Sequence, residues 1–436
     1  MIDAHALSLD VLDFVTELRH DLHAHPELGT DLPVTQRRVL DALAGLPLEI
    51  TLGRQLTSVT AVLRGGKADA DLARRPIILL RGDMDALPVR ENTGQPFAST
   101  IDGRMHACGH DLHTATLAGA AKALCTIKDE LPGDIVFMFQ PAEEVLVSGA
   151  QLMIDEGVLD AAGRRVDRAF GLHATSAMIP TGHWWTRPGT IMAGTNNMLV
   201  DIIGRGGHGS TPWGSNDPVP VMAEIITSLQ TVATRKFSVF DPVVITVGVA
   251  TAGQAPNVIP ERCHLEASVR TLSKESLATA SIVFPQVVRQ IADAHGCRAE
   301  VDWQPGFPPT VNDPDAAAFI LAELSDLFGA DRVASMDVPL MGSEDFSKVL
   351  DAVPGAFVFY SAVPPTARLE DATFNHSETA TFDDSALAGA VVVLAADTVA
   401  RVALPGELPV GILTVIVGAP YLIWLLTRRT HKEGLS

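Results

Sequence analysis

Short apolar runs rich in β-branched residues alternate with longer helical stretches through most of this chain. PIILLRGD (76–83), DIVFMFQP (134–141) and RAFGLHA (168–174) read as buried strands. Between them, TATLAGAAKALCTIKDEL (114–131) and SGAQLMIDEGVLD (148–160) read as helices. An amphipathic helix is expected from about Leu9 to just before Pro26. Strand, helix, strand in this rhythm predicts an α/β domain with a largely parallel sheet.

The pattern changes near residue 195. NMLVDIIGRGGHGS (197–210) alternates sides before a glycine turn, and DPVPVMAEIITSLQTVATR (217–235) is helical. VVITVGVATAG (243–253) and RCHLEASVRT (262–271) then read as strands, and KESLATASIVFPQVVRQIADAHG (274–296) as a helix. A β-α-β-β-α order of this length suffices for an inserted α+β domain, bounded at 195–306. The α/β rhythm resumes with a helix at 316–329 and a strand at 355–362. The catalytic α/β domain is therefore expected at 1–194 and 307–390, with a tail at 391–436.

That tail carries LPVGILTVIVGAPYLIWLLT (408–427), which is free of charge and is followed by Arg428, Arg429 and Lys432. Twenty residues of helix cover about 30 Å, the thickness of a bilayer core. The stretch is a candidate transmembrane helix with its basic flank in the cytoplasm; a buried core helix is the alternative.

Composition narrows the class. Hydrophobic residues make up 47% and charged ones 19% of the 436 residues, a globular balance that supports two domains. The formal net charge is −20, which argues against a nucleic-acid partner, since such binding begins with a basic surface. The cysteines Cys108, Cys125, Cys263 and Cys297 are sparse and scattered, as in a reduced, cytoplasmic protein. The N-terminus has no basic start followed by an apolar run, so no secretory signal is expected.

Candidate chemistry collects where strands end, the place where open α/β sheets bind ligands. Asp83 and Asp85 follow the first strand, Glu143 and Glu144 the second, and His173 closes the third. RMHACGHDLH (104–113) crowds three histidines and a cysteine beside a helix start, and His376 lies in FNHSE near the last connection. Thiolate, imidazole and carboxylate together suit zinc, manganese, cobalt or nickel. Any one of these residues alone would read as a packed histidine or a solvated loop; their convergence reads as a metal site.

RGDMDALP, MHACGHDLHT, QPAEE, GLH, GRGGHGS, NVIP, VRT, GSEDFS and NHSE stand in the order seen in metal-dependent amidohydrolases. From about residue 10 to 385 the chain resembles hippurate hydrolase, auxin-amino-acid hydrolases and N-acyl-amino-acid deacetylases, relatives of carboxypeptidase G and aminoacylase. The resemblance implies a dinuclear-metal peptidase-like catalytic domain with an inserted lid and dimerisation domain, and a homodimer. It places two divalent ions (Mn2+ or Zn2+, with Co2+ or Ni2+ as alternatives) on Cys108, His110, Glu144, His173 and His376. His106 and His113 become neighbours of the site, and Asp83 stays outside the ligand set. Glu143 is implied as general base and acid, its side chain diverging from that of Glu144, and Asp85 as the aspartate that orients the ligands.

In the inserted domain the same resemblance assigns His208 to polarising the scissile carbonyl. It assigns Asn257 and Arg270 to the substrate carboxylate, which a guanidinium fork fits with two parallel bonds. Trp213 departs from the pattern, either narrowing the acyl pocket or packing under the lid. The implied reaction is hydrolysis of N-acyl amino acids to a carboxylic acid and a free amino acid. A dipeptidase or aminoacylase of the same mechanism is the alternative. From about Leu394 the chain resembles the last segment of an iron-siderophore importer permease. Membrane tethering is therefore one expectation, and a non-catalytic membrane-associated component is the remaining reading.

Overall fold

The computed structural model describes residues 4–403, which form two compact units. The first takes the described residues up to Gly189, then Asn312–Asp337, and the described residues from Val349 onward. The second takes Thr190–Val311 and Val338–Lys348.

An eight-stranded sheet organises the first unit. Across it run Leu48–Leu52, Val59–Leu63, Asp134–Gln140, Ile77–Asp83, Arg168–Thr175, Gly355–Ser361, Trp184–Thr186 and Val333–Ser335. The four central strands are mutually parallel, with Ile77 opposite Asp134 and Gly355 opposite Ala169. The pairings of Leu48–Leu52 with Val59–Leu63, Val59–Leu63 with Asp134–Gln140, and Gly355–Ser361 with Trp184–Thr186 are antiparallel. The sheet is thus mixed: its centre is parallel, and so is the edge pairing of Val333–Ser335 with Trp184–Thr186. Three of its central strands, Ile77–Asp83, Asp134–Gln140 and Gly355–Ser361, are buried end to end, which is why they read as continuous apolar runs.

The helix His110–Thr126 starts four residues earlier than its apolar pattern suggested and is buried along nearly its whole length. Its alanines and glycine allow this. A Cβ on Gly119 would lie 2.3 Å from Val15 Cγ1 and 3.2 Å from Val391 Cγ2. The helices Leu12–Ala24 and Ser385–Ala403 close on it there. Residues 391–394, which fall within the expected tail at 391–436, are therefore core: Val391, Val392, Val393 and Leu394 are all buried. A small-residue groove takes up their apolar side chains. The expected helix over 148–160 is two pieces, Gly149–Asp155 and a turn at Val158–Asp160, parted by left-handed Gly157. Among the described residues no helix is long and apolar enough to cross a membrane. The candidate span 408–427 and the permease-like segment beyond residue 403 lie outside the described residues.

The second unit is an antiparallel four-stranded sheet in the order Val243–Ala252, Arg262–Thr271, Gly194–Ile203, Arg298–Pro305. The helices Pro218–Arg235 and Lys274–Ala294 pack Ile225, Leu229, Phe284 and Val288 against Met198, Val200 and Leu265. The last strand escaped the apolar pattern because Arg298, Glu300 and Asp302 occupy its alternate positions, as suits an edge strand. It completes a β-α-β-β-α-β unit. This unit also starts earlier and ends later than 195–306, and it takes in residues 338–348. Leu340 returns to it through a backbone bond to Ile191 at 2.9 Å.

Candidate metal centre

The loops after the parallel strands of the first unit carry the candidate ligands. His173 lies within Arg168–Thr175, Glu143 and Glu144 follow Asp134–Gln140, and His376 lies between Gly355–Ser361 and the final helix. His110 is the first residue of its helix, and the preceding Gly109 is left-handed at φ +83°. Two non-glycine residues here share that uncommon region: Ala142 at φ +62°, just before the glutamates, and His376 itself at φ +73°. The amide of His376 is held by the Ala107 carbonyl at 2.8 Å, which ties its loop beside Cys108.

Cys108 Sγ lies 3.3 Å from His376 Nε2 and 3.5 Å from His173 Nε2. Glu144 Oε1 is 3.3 Å from His376 Nε2 and 3.9 Å from His110 Nε2. Glu143 Oε2 is 4.0 Å from His110 Nε2. The two adjacent carboxylates thus do not diverge; both reach His110, on a chain turned by left-handed Ala142.

Hydrogen bonding to backbone separates ligands from neighbours. A carbonyl can only accept, so the contact of His110 Nδ1 with Asp85 O at 2.8 Å puts the proton on Nδ1. The contact of His173 Nδ1 with Ala174 O at 2.8 Å does the same. Both rings then turn Nε2 toward the site, the nitrogen that binds a metal once it carries no proton. His113 is different: Nε2 accepts the Ala174 amide at 2.8 Å, and Nδ1 donates to Asp83 Oδ1 at 2.6 Å. Both of its nitrogens are used. Asp83 also pairs with Arg81, so this buried carboxylate has its partners without an ion. Among the described residues His110 Nε2 and Glu144 Oε1 are buried without a hydrogen-bond partner. Such atoms are costly unless ligated, and the donor set of thiolate, imidazole and carboxylate fits a divalent ion. His106 is buried with neither ring nitrogen bonded, and burial pushes it down to about 3, so it is neutral.

Electrostatics agree. Burial opposes ionisation of Glu144, yet its ion-pair contact with His376 and the charge of His110 hold it below the ordinary carboxylate range. His376 is pushed up to about 10 by its contacts with Cys108 and Glu144. Burial opposes charge on His110 too, but Asp83 and its contacts with Asp85 and Cys108 raise it. An anionic field that favours protons on these rings also favours a cation between them, and binding would release those protons.

Asp85 builds the loop beneath. Its Oδ1 and Oδ2 accept the amides of Glu143 and Glu144, each at 3.0 Å, while its carbonyl orients His110. Asp85→Ala should therefore lower metal affinity by about 10–100-fold, because outer contacts aim the ligands. Titration of the apoprotein with Mn2+ checks this; unchanged affinity would leave Asp85 a purely local fold element.

The other candidates lie in the second unit. Gly207–His208 pairs with Val258–Ile259, and the Gly209 amide bonds the Asn257 carbonyl at 2.9 Å, so His208 and Asn257 lie side by side on one short, exposed two-stranded ribbon. The Ser210 amide donates to His208 Nδ1 at 3.1 Å, leaving the proton on Nε2 as a donor. Arg270 lies on Arg262–Thr271 and reaches Ser343 Oγ at 3.2 Å. Burial lowers its pKa, and among the described residues no carboxylate offsets that. Trp213 is 82% exposed on the turn after His208, so it does not pack beneath the unit.

The sequence profile of peptidase family M20/M25/M40 matches residues 79–397. An N-acetylcysteine deacetylase of Bacillus subtilis is 36% identical over 345 residues, 78% of this chain and 86% of that protein. The IAA-amino acid hydrolase ILR1-like 4 of Arabidopsis thaliana is 36% identical over 354 residues, covering 80% and 77%. The crystal structure of the Bacillus subtilis YXEP protein, a dinuclear metal binding peptidase from the M20 family, superposes with a TM-score of 0.75. It is 30% identical and covers 91% of this chain and 99% of that one. With this match spanning most of its length, the chain belongs to peptidase family M20/M25/M40.

Proposed function

We propose that this protein hydrolyses the amide bond of N-acyl amino acids with two divalent ions held by Cys108, His110, Glu144, His173 and His376. The observation that carries it is a pair of buried atoms without a hydrogen bond, His110 Nε2 and Glu144 Oε1, gathered with the Cys108 thiol and a half-exposed imidazole. The related deacetylase and IAA-amino acid hydrolase support the substrate class. Bound divalent ions supply Lewis-acid polarisation of the amide carbonyl and easier ionisation of water. The rest falls to the protein. Glu143 accepts the proton of the attacking water and passes it to the amide nitrogen as the C–N bond breaks. His208, protonated on Nε2, donates to the oxygen on which charge develops. Asn257 and Arg270 bind the carboxylate of the amino acid, the guanidinium by a two-bond fork.

The test is hydrolysis of hippurate, N-acetyl amino acids and dipeptides by Mn2+- or Zn2+-loaded protein, with and without chelator. Cleavage of the acyl amino acids that chelator abolishes and metal restores is expected; cleavage insensitive to chelator would sink the proposal. Dipeptides as the preferred substrates would favour the dipeptidase reading. Val145, Leu146 and Val147 follow Glu144 and are exposed, and Phe374, two residues before His376, is 52% exposed. Apolar side chains so placed in the chain favour an apolar acyl group.

Arg270→Ala should raise KM for N-acyl amino acids about 10–100-fold, the loss of a charge-assisted pair. KM for the matching uncharged amides should stay put, and equal changes for both would remove Arg270 from carboxylate binding. A homodimer belongs to the same reading: Val243–Ala252 is a sheet edge with exposed Val244 and Val249. Light scattering checks it.

A further inference from the structure

Cys108, His173 and His376 come from three separate parts of the chain, and one side chain ties all three parts together. Asn375 immediately precedes His376. Its Nδ2 donates to the Ala174 carbonyl at 3.0 Å and lies 3.4 Å from the Cys108 carbonyl and 3.8 Å from Cys108 Sγ. Its Oδ1 accepts the Ser176 amide at 2.9 Å, and Ser176 Oγ lies at the same distance. Because a backbone amide can only donate, the carboxamide has one orientation here, with its NH2 toward two carbonyls and the sulfur. The Ala174 carbonyl is also the acceptor that sets the His173 tautomer. Asn375 therefore spans the Cys108 loop, the end of the His173 strand and the left-handed His376 residue.

We propose that Asn375 is a positioning residue: its carboxamide fixes the triangle of Cys108, His173 and His376 and thereby sets the affinity of the centre for its ions. The inference rests on the metal-centre reading above. His376 at φ +73° is a conformation that a bulky residue keeps only when its surroundings impose it. Two bonds impose it, the Ala107 carbonyl on the amide of His376 and the carboxamide clamp one residue before. Removing the clamp frees the loop, and a half-exposed imidazole then has to be ordered at the moment of binding. Aspartate has nearly the same shape, but it would turn an oxygen toward the Ala174 and Cys108 carbonyls, where a donor is required.

The experiment titrates the full-length apoprotein with Mn2+, following free Mn2+ by its EPR signal and the fold by thermal melting. Asn375→Ala should bind Mn2+ about 10–100-fold more weakly, the cost typical of losing an outer contact at a metal site. Asn375→Asp should fail to restore affinity despite its matching shape, whereas a space-filling role would let it do so. Wild-type affinity in either variant overturns the inference. If Asn375→Ala does not fold, Asn375→Ser, which also lacks the carboxamide, decides: weaker Mn2+ binding at an unchanged apo melting temperature supports the clamp, and unchanged binding overturns it. A wild-type protein that binds no Mn2+ would instead overturn the metal-centre reading itself.

Discussion

Glu143→Gln should bind its full complement of metal and lose about 10²–10⁴-fold in kcat, the range of a missing general acid–base. The substitution keeps the volume and the hydrogen-bonding outline of the side chain. It removes only the capacity to take up a proton. The amide of Glu143 stays on Asp85 at 3.0 Å in either case, so the loop should not move. Metal content measured beside kcat separates two roles that the geometry brings close, since Glu143 Oε2 lies 4.0 Å from His110 Nε2. Retained turnover would end the assignment of Glu143 as base. Loss of metal would make it a ligand instead.

Arg19→Met should destabilise the first unit by about 3–5 kcal/mol, the usual consequence of stripping one partner from a buried ion pair. Arg19 is 1% exposed. It donates to Asp111 Oδ2 at 3.1 Å, to the Phe382 carbonyl at 2.8 Å and to Asp384. Asp111, next to His110 at the helix start, is fully buried, and it is also 2.9 Å from His23 Nδ1. Without Arg19 one imidazolium would have to balance Asp111 alone.

The same network sets a pH dependence. Burial opposes charge on His23, but Asp111 raises it to about 9. A raised pKa stabilises the fold fully below the unfolded value near 6.5 and is lost as pH rises through about 9. Asp111 is shifted the other way: burial opposes its ionisation, but His23 and Arg19 hold it well down, so its contribution is present above about 3.8 and lost in acid. Urea midpoints from about pH 2 to 9.5 check both statements. The wild type should weaken toward the alkaline end, and Arg19→Met should start several kcal/mol lower, about 3–5 by the same argument. Equal midpoints at all pH values would show that His23 is not charged in the fold.

Much of the site is legible along the chain because the relevant signals are local. A buried parallel strand is an unbroken apolar run, and the residue just beyond it is the one that can reach a ligand, so Glu143, Glu144 and His173 stand out by position. Gly109 before His110 marks a turn that only a left-handed residue makes easily. Other signals were muted. Arg298–Pro305 carries charges at alternate positions and reads as loop, although it closes the second sheet. Val391–Leu394 reads as the start of a membrane-seeking tail until Gly119 supplies the groove that buries it.

The central strands and main helices, the strand ends that carry the chemistry and the family motifs can be read along the chain, because each depends on a few neighbouring residues. What those residues do to one another follows only from the fold. It turned Glu143 and Glu144 toward the same imidazole, used both nitrogens of His113 on Asp83 and Ala174, and left His110 Nε2 without a hydrogen bond. It also set the Asn375 carboxamide between Cys108 and Ala174. A tautomer, a carboxamide orientation or an unpartnered atom depends on groups far apart in the chain, such as Cys108 and Asn375. Their distance along the chain carries no information until folding brings them within reach of a hydrogen bond.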